Sequence, residues 1–148
     1  MKTRRTYLVG IEQCGPLSDV VFRALFSLIF IVGGLGHFGQ HHDMLLRIQE
    51  SPWFHVIRSI GDPSVLLWLS GAVFVVAGFS FAIGFMTRLS AAALFVTLVP
   101  VTLAIHIAPG HVGPLLKNVA ILGGLLHFFV RGPGAYALDG QLKNSVDR

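Results

Sequence analysis

The chain has 148 residues, of which 53% are hydrophobic and only 12% are charged. A soluble domain usually carries about a quarter charged residues, so this composition excludes an ordinary soluble domain and indicates a protein embedded in lipid. The net charge of +4 does not indicate nucleic-acid binding, because no soluble basic face is available to present it.

Four apolar runs follow the polar N-terminal stretch, at about residues 20–38, 64–86, 88–108 and 113–130. Each is near the ~20 residues that cross a ~30 Å hydrocarbon core as a helix. Together they use most of the chain, which leaves no room for a soluble domain. The sequence therefore predicts an all-α, integral membrane four-helix bundle with a single domain over residues 1–148.

Helix boundaries are marked along the chain. Ser18 and Asp19 can cap the first span, and Asp62-Pro63 and Gly113-Pro114 are typical of the starts of the second and fourth. The loop between the first two spans contains Ser51-Pro52 and, later, Gly61, which indicate the start and end of a short helix. One face of this helix is apolar: Trp53, Val56, Ile57 and Ile60. We predict that it lies in the outer membrane interface.

The distribution of basic residues predicts the topology. If the spans alternate, one side of the membrane receives eight of the 11 basic residues and the other side three. The three are Arg47, Arg58 and Lys117. Because cytoplasmic loops carry an excess of Lys and Arg, both termini should be cytoplasmic.

On three spans a helical period of about 100° places polar and small residues in one stripe. The stripes are Arg23, Ser27, Phe30, Gly34 and His37 on the first span; Arg88, Ala92, Phe95, Val99, Thr102 and His106 on the third; and Lys117, Ala120, Gly124 and His127 on the fourth. We expect each stripe to face the bundle interior. Each has a basic group near its outer end: His37, His106 or Lys117.

Ionisable side chains within a membrane are costly and often functional, so His37, His106 and Lys117 are the candidate catalytic residues. An imidazole exchanges a proton near neutral pH, and a lysine can donate to a carbonyl, as a quinone headgroup requires. Two histidines on facing helices could instead hold a haem iron, and the outer histidines could bind zinc or copper. The same residues could also serve only as interface or snorkelling groups. With Cys14 as the only cysteine, redox chemistry needs a bound cofactor or a partner.

Several segments, taken together from residue 20 to residue 139, resemble the DoxX family of membrane proteins. They are the glycine-rich segment from Arg23 to His37, the turn Gly84-Phe-Met-Thr-Arg88, His106 and His111 after the third span, Lys117-Asn118-Val-Ala-Ile-Leu-Gly-Gly, and Gly132-Pro-Gly-Ala-Tyr-Ala-Leu-Asp139. The resemblance implies a multi-pass protein of the bacterial inner membrane, related to the small subunit of a thiosulfate:quinone oxidoreductase. One departure is that many relatives carry a glutamate in the second span, where residues 64–86 contain no ionisable side chain.

The residues and the resemblance together predict a small subunit of a quinone-linked redox system. It would bind a quinone headgroup, or relay its proton, at the outer leaflet through His37, His106, Lys117 and Asn118. Quinone is the expected cofactor, with haem b second, and no metal site is predicted. The expected partners are the lipid bilayer and either a redox subunit or further copies of the chain. The alternative is a non-catalytic anchor or accessory subunit of a larger membrane complex.

Overall fold

The computed structural model describes residues 13–106 and 112–146, and within those ranges every regular element is a helix. The helices are α1 (Gly15–Gly39), α2 (His41–Gln49), α3 (Phe54–Ile60), α4 (Pro63–Ala82), α5 (Thr87–His106), α6 (Val112–Arg131) and α7 (Leu138–Val146). Four of them, α1, α4, α5 and α6, are long and apolar enough to cross a membrane. The predicted all-α membrane bundle is confirmed, and the chain is a multi-pass membrane protein.

Local chemistry explains where α4 begins and ends. The Asp62 carboxylate accepts hydrogen bonds from the amides of Ser64 (2.8 Å) and Val65 (3.2 Å), which confirms the predicted cap. The helix ends at Ala82, four residues before the predicted end of the second span at 86. The residues that follow are still apolar, so hydropathy does not mark this end. The backbone does, because Gly84 and Met86 have φ values of 70° and 46°.

Helix α1 begins earlier than predicted. It starts at Gly15, with Pro16 in its first turn, so Ser18 and Asp19 lie inside the helix and do not cap it. The Ser18 hydroxyl donates to the Gly15 carbonyl at 2.8 Å. The Asp19 carboxylate instead accepts from the Ala135 amide at 3.0 Å, a contact across 116 residues of chain that the local pattern could not indicate.

The first loop contains two helices where one was predicted. The predicted helix is α3, which ends before Gly61, and two of its apolar side chains, Val56 and Ile60, are 51% and 71% exposed. The additional helix, α2, follows α1 after a break at Gln40. Its first residues are His41, His42 and Asp43, whose polarity favoured a loop in the sequence. The Ser51 hydroxyl between the two helices donates to the Ala104 carbonyl of α5 and joins this loop to the bundle.

Aromatic rings form the core of the bundle. Phe81 of α4 and Phe128 of α6 meet edge to face, with ring centroids 4.8 Å apart. The ring centroid of Phe26 on α1 lies 6.0 Å from that of Phe81 and 6.1 Å from that of Phe128, so Phe26 packs α1 against α4 and α6. Leu94 of α5 and Leu125 of α6 are fully buried beside them. The outward faces are apolar and exposed, as contact with lipid requires.

Burial tests the three predicted stripes. The stripe on α1 is confirmed, since the buried residues of this helix are the five predicted ones. On α5 the stripe is wrong in part: Thr102 is buried and Phe95 packs against the core, but Arg88 is exposed, and Ser90, Leu94 and Leu98 are among the buried residues. On α6 it is also wrong. Lys117, Ala120 and His127 are exposed, and the buried face consists of Asn118, Ile121, Leu125 and Phe128. Because aromatic and aliphatic side chains form the core, the inward faces of α5 and α6 differ from the predicted ones.

Glycines allow α1 and α4 to approach closely. A Cβ atom on Gly34 would lie 2.8 Å from the Gly71 carbonyl oxygen and 2.9 Å from Phe74 Cβ. A Cβ atom on Gly71 would lie 2.8 Å from His37 Cβ. Because both contacts are closer than van der Waals distance, this helix pair requires glycine on each side. The close approach sets His37 directly against α4.

Adjacent glycines in α1 give a matched test of this packing. Gly34→Ala should lower the stability of the bundle by about 1–3 kcal/mol, because the added methyl group overpacks the contact. Gly33→Ala should be neutral or raise stability by about 0.5–1 kcal/mol, because a Cβ atom there meets nothing within 4 Å and alanine favours the helix. Thermal unfolding in mild detergent measures both. Equal unfolding temperatures for the two variants would contradict the packing described here.

The segment after α6 contacts α1 and the α4–α5 turn at the end of the bundle opposite His37. The Arg23 guanidinium, 1% exposed, donates to the carbonyl oxygens of Pro133, of Ala135 at 3.1 Å and of Tyr136 at 3.3 Å. The Asp139 carboxylate accepts from the amides of Met86 (2.7 Å) and Thr87 (2.8 Å), at the start of α5. These contacts join α1, the α4–α5 turn and the C-terminal segment.

The Asp139 contacts predict a pH dependence of stability. Burial raises the pKa of this carboxyl, but the hydrogen bonds from the Thr87 and Met86 amides and the charge of Arg23 outweigh it, so the pKa of Asp139 lies below its ordinary value. A depressed pKa contributes stability above the unfolded value of about 3.9, and this contribution is lost as pH falls through the folded pKa. At neutral pH, Asp139→Asn should lower the unfolding temperature by about 2–4 °C. This difference in unfolding temperature between Asp139→Asn and wild type should disappear below the folded pKa of Asp139. A difference that persists there would contradict the electrostatic account.

Candidate functional site

A cavity of about 320 Å³ lies between α4 and α5, near the end of the bundle where α1 ends. Helices α2 and α3 contribute Ile48, Ile57 and Ile60 to its wall, so the first loop covers it on one side. The side chains on the wall are apolar apart from three: His37, Ser70 and Thr97. An apolar cavity with a few polar groups is the usual form of a small-molecule site.

His37 is the ionisable group of this cavity, and it is only 6% exposed. Its Nδ1 atom lies 2.9 Å from the Ser70 hydroxyl oxygen and 3.3 Å from the Leu67 carbonyl oxygen, both on α4. The ring also packs on Phe74, with centroids 5.5 Å apart. The imidazole is therefore held in one orientation by α4, as a group that binds or exchanges a proton with a ligand requires.

A second histidine and serine pair lies one turn beyond the first. The His41 Nε2 atom is 2.9 Å from the Ser64 hydroxyl oxygen, and its Nδ1 is 3.3 Å from the His37 carbonyl oxygen. The His41 ring lies 5.1 Å from the Trp68 ring. His41 is half-buried and has these three defined contacts. Neither Ser64 nor Ser70 was predicted, because a serine in an apolar span carries no charge that would attract notice.

Two of the other candidate residues, Asn118 and Lys117, do not line this cavity. Asn118 is buried and donates from Nδ2 to the Thr102 hydroxyl oxygen at 2.9 Å, and Thr102 donates to the Leu98 carbonyl at 2.7 Å. Lys117 is exposed and does not line the cavity. The Cα–Cβ bond of a helical residue tilts toward the N-terminal end of its helix, so that of Lys117 tilts toward the start of α6. The backbone of His106 ends α5, one residue after the cavity-lining Ile105. The side chain of His106 and all of His111 lie outside the described residues.

Over residues 13–106 and 112–146, histidine, cysteine, aspartate and glutamate side chains do not form a group of three that could hold a metal ion. The arrangement found is a single oriented imidazole in an apolar wall. Such a site suits an amphiphilic molecule whose ring or chain fills the cavity and whose polar group meets the imidazole.

Comparison with known proteins gives one relationship. Neither the curated proteins nor the solved structures that were compared match the chain. The family model for DoxX matches residues 18–107, more than half of the 148 residues. The matched stretch contains α1 to α5 almost entirely and every residue that lines the cavity. The chain therefore belongs to the DoxX family.

Proposed function

We propose that the protein is a membrane subunit of a quinone-linked redox system and that the cavity between α4 and α5 binds the quinone. The observation that carries the proposal is the His37 imidazole, oriented by Ser70 and Leu67 in an otherwise apolar wall. A quinone needs an apolar enclosure for its ring and tail and a proton-exchanging group for its oxygen. The cavity volume of about 320 Å³ lies at the lower end of the ~300–1,000 Å³ that ligand sites occupy.

In this proposal His37 contacts the quinone oxygen and Ser70 is a positioning residue that fixes the imidazole. The charge asymmetry of the loops supports cytoplasmic termini in a bacterial inner membrane, which would set His37 near the outer leaflet. His106 follows the cavity-lining Ile105 and is the second candidate for contact with the headgroup. Lys117 is exposed, so its role here would be at the headgroups of the surrounding lipid.

The direct test is the content of the purified protein. Protein isolated from its membrane in mild detergent should retain quinone, which solvent extraction and chromatography quantify per mole of folded protein. An absorbance spectrum of the same sample tests for haem b. A sample without quinone that also fails to take up added quinone would contradict the proposal.

A second function, an accessory subunit that holds a larger membrane partner, is favoured by the outward face of α6. Lys117, Ala120 and His127 are exposed there, beside Gly123, whose Cβ position has nothing within 4 Å. Polar and small residues on an outward face are typical of helix–helix contacts in membranes. The neighbouring Gly124 packs inside the bundle, since a Cβ atom there would lie 2.7 Å from the Phe26 ring.

The accessory function predicts that Gly123→Leu releases the partner. The variant should fold as wild type does, because its side chain enters open space, while co-purification of the partner in mild detergent should fall about tenfold or more. Val119→Leu, an apolar change on the exposed surface of the same helix, is the control. Unchanged co-purification of proteins with Gly123→Leu would contradict this second function.

A further inference from the structure

The hydrogen bonds around His37 determine which of its nitrogen atoms carries the proton. The Leu67 carbonyl oxygen, 3.3 Å from Nδ1, can only accept. The Ser70 hydroxyl donates to the same carbonyl at 2.9 Å, so its oxygen faces Nδ1 with a lone pair at 2.9 Å. Both neighbours of Nδ1 are therefore acceptors, and Nδ1 bears the hydrogen.

The other nitrogen, Nε2, is then an acceptor in the neutral imidazole. In the part of the chain that the structure describes, the His37 imidazole forms hydrogen bonds only through Nδ1. Since His37 lines the cavity, Nε2 is the atom that remains for a ligand. A polar ligand group that meets it must donate a hydrogen.

Under the proposed function, on which this inference rests, quinone and hydroquinone differ in whether they can donate a hydrogen to Nε2. A hydroquinone presents an O–H donor, whereas a quinone presents a carbonyl oxygen whose lone pair would face the lone pair of Nε2. The Thr97 hydroxyl on α5 can donate or accept, so it pairs with either form and does not discriminate. We infer that the His37 site recognises the hydroquinone and binds it more tightly than the quinone.

The hydroquinone gains one hydrogen bond where the quinone would have a lone-pair contact, which corresponds to about tenfold tighter binding of the hydroquinone. Tighter binding of the reduced form raises the reduction potential of the bound couple, by about 30 mV for a tenfold preference in a two-electron couple. A quinone bound at this site is then a better electron acceptor than one free in the membrane. The geometry thus favours a subunit at which electrons enter the quinone pool.

Equilibrium partitioning measures the preference. The full-length protein in lipid nanodiscs is equilibrated with a benzoquinone that carries a decyl tail, or with its hydroquinone under argon, against empty nanodiscs. Wild type should retain the hydroquinone about tenfold more tightly than the quinone. His37→Gln should bind both forms about equally, because its side-chain amide can both donate and accept.

Two serines of α4 give a matched pair that does not alter the imidazole itself. Ser70→Ala removes the nearer acceptor of Nδ1–H and should reduce the preference for the hydroquinone. Ser64→Ala removes the partner of His41 and should leave the preference at the wild-type value.

Three results would overturn the inference. Equal or tighter binding of the quinone by wild type would do so while leaving the proposed quinone site intact. Retention of neither form above empty nanodiscs would overturn both the inference and the proposed function. A wild-type preference that persists in His37→Gln would assign the discrimination to another group.

Discussion

Replacing His37 with leucine should lower the hydroquinone retained by the protein under argon about tenfold, equivalent to about 1.4 kcal/mol of binding free energy. The change removes the one ionisable group on the cavity wall and its hydrogen bond to the ligand. Folding should be little affected, because Ser70 keeps its hydrogen bond to the Leu67 carbonyl at 2.9 Å and the leucine remains in an apolar wall. Hydroquinone retained under argon per mole of monodisperse protein is the measurement.

Lys117→Ala is the control for this result, because Lys117 is exposed and lies outside the cavity wall. It should retain hydroquinone as wild type does. His106→Ala, measured in parallel, tests the remaining prediction from the sequence. Wild-type retention of hydroquinone in a His37→Leu/His106→Ala double variant would require a different site.

Replacing Arg23 with alanine should cause the largest loss of stability among the changes considered. The guanidinium is buried, and it supplies hydrogen bonds to three carbonyl oxygens of the C-terminal segment: Pro133, Ala135 and Tyr136. Without it these acceptors lose their donor in a buried site, at a cost of about 1–3 kcal/mol for each one that water cannot reach. We expect a total loss of about 3 kcal/mol or more, measured as the shift in thermal unfolding or as loss of monodisperse protein in detergent.

Arg88→Ala is the matched control at the same end of the bundle. Arg88 is exposed and makes one bond to the Val130 carbonyl at 3.3 Å, so its removal should change stability by about 0.5 kcal/mol or less. Arg23→Lys should fall between the two, since one ammonium cannot reproduce the planar fork that reaches three carbonyls. Equal stabilities for Arg23→Ala and Arg88→Ala would show that these contacts contribute little.

The four membrane helices and the inward face of α1 were predictable from the sequence. Hydropathy is sufficient for the helices because lipid offers the backbone no hydrogen bonds, so an apolar run of that length must be helical. The face of α1 was predictable because its stripe contains Arg23 and His37, which are costly to expose to lipid. The DoxX resemblance rested on the same residues, and the family match over 18–107 confirms it.

The inward faces of α5 and α6 and the composition of the cavity depend on how the helices pack together. Lipid is as apolar as the core, so the hydrophobic period of a membrane helix does not show which face contacts lipid and which contacts the core. Lys117 can lie on the lipid face because its long side chain reaches toward the membrane surface. The pairing of His37 with Ser70 joins residues 33 positions apart in sequence. It depends on the close approach of α1 and α4 at Gly34 and Gly71, a property of two packed surfaces that neither helix carries alone.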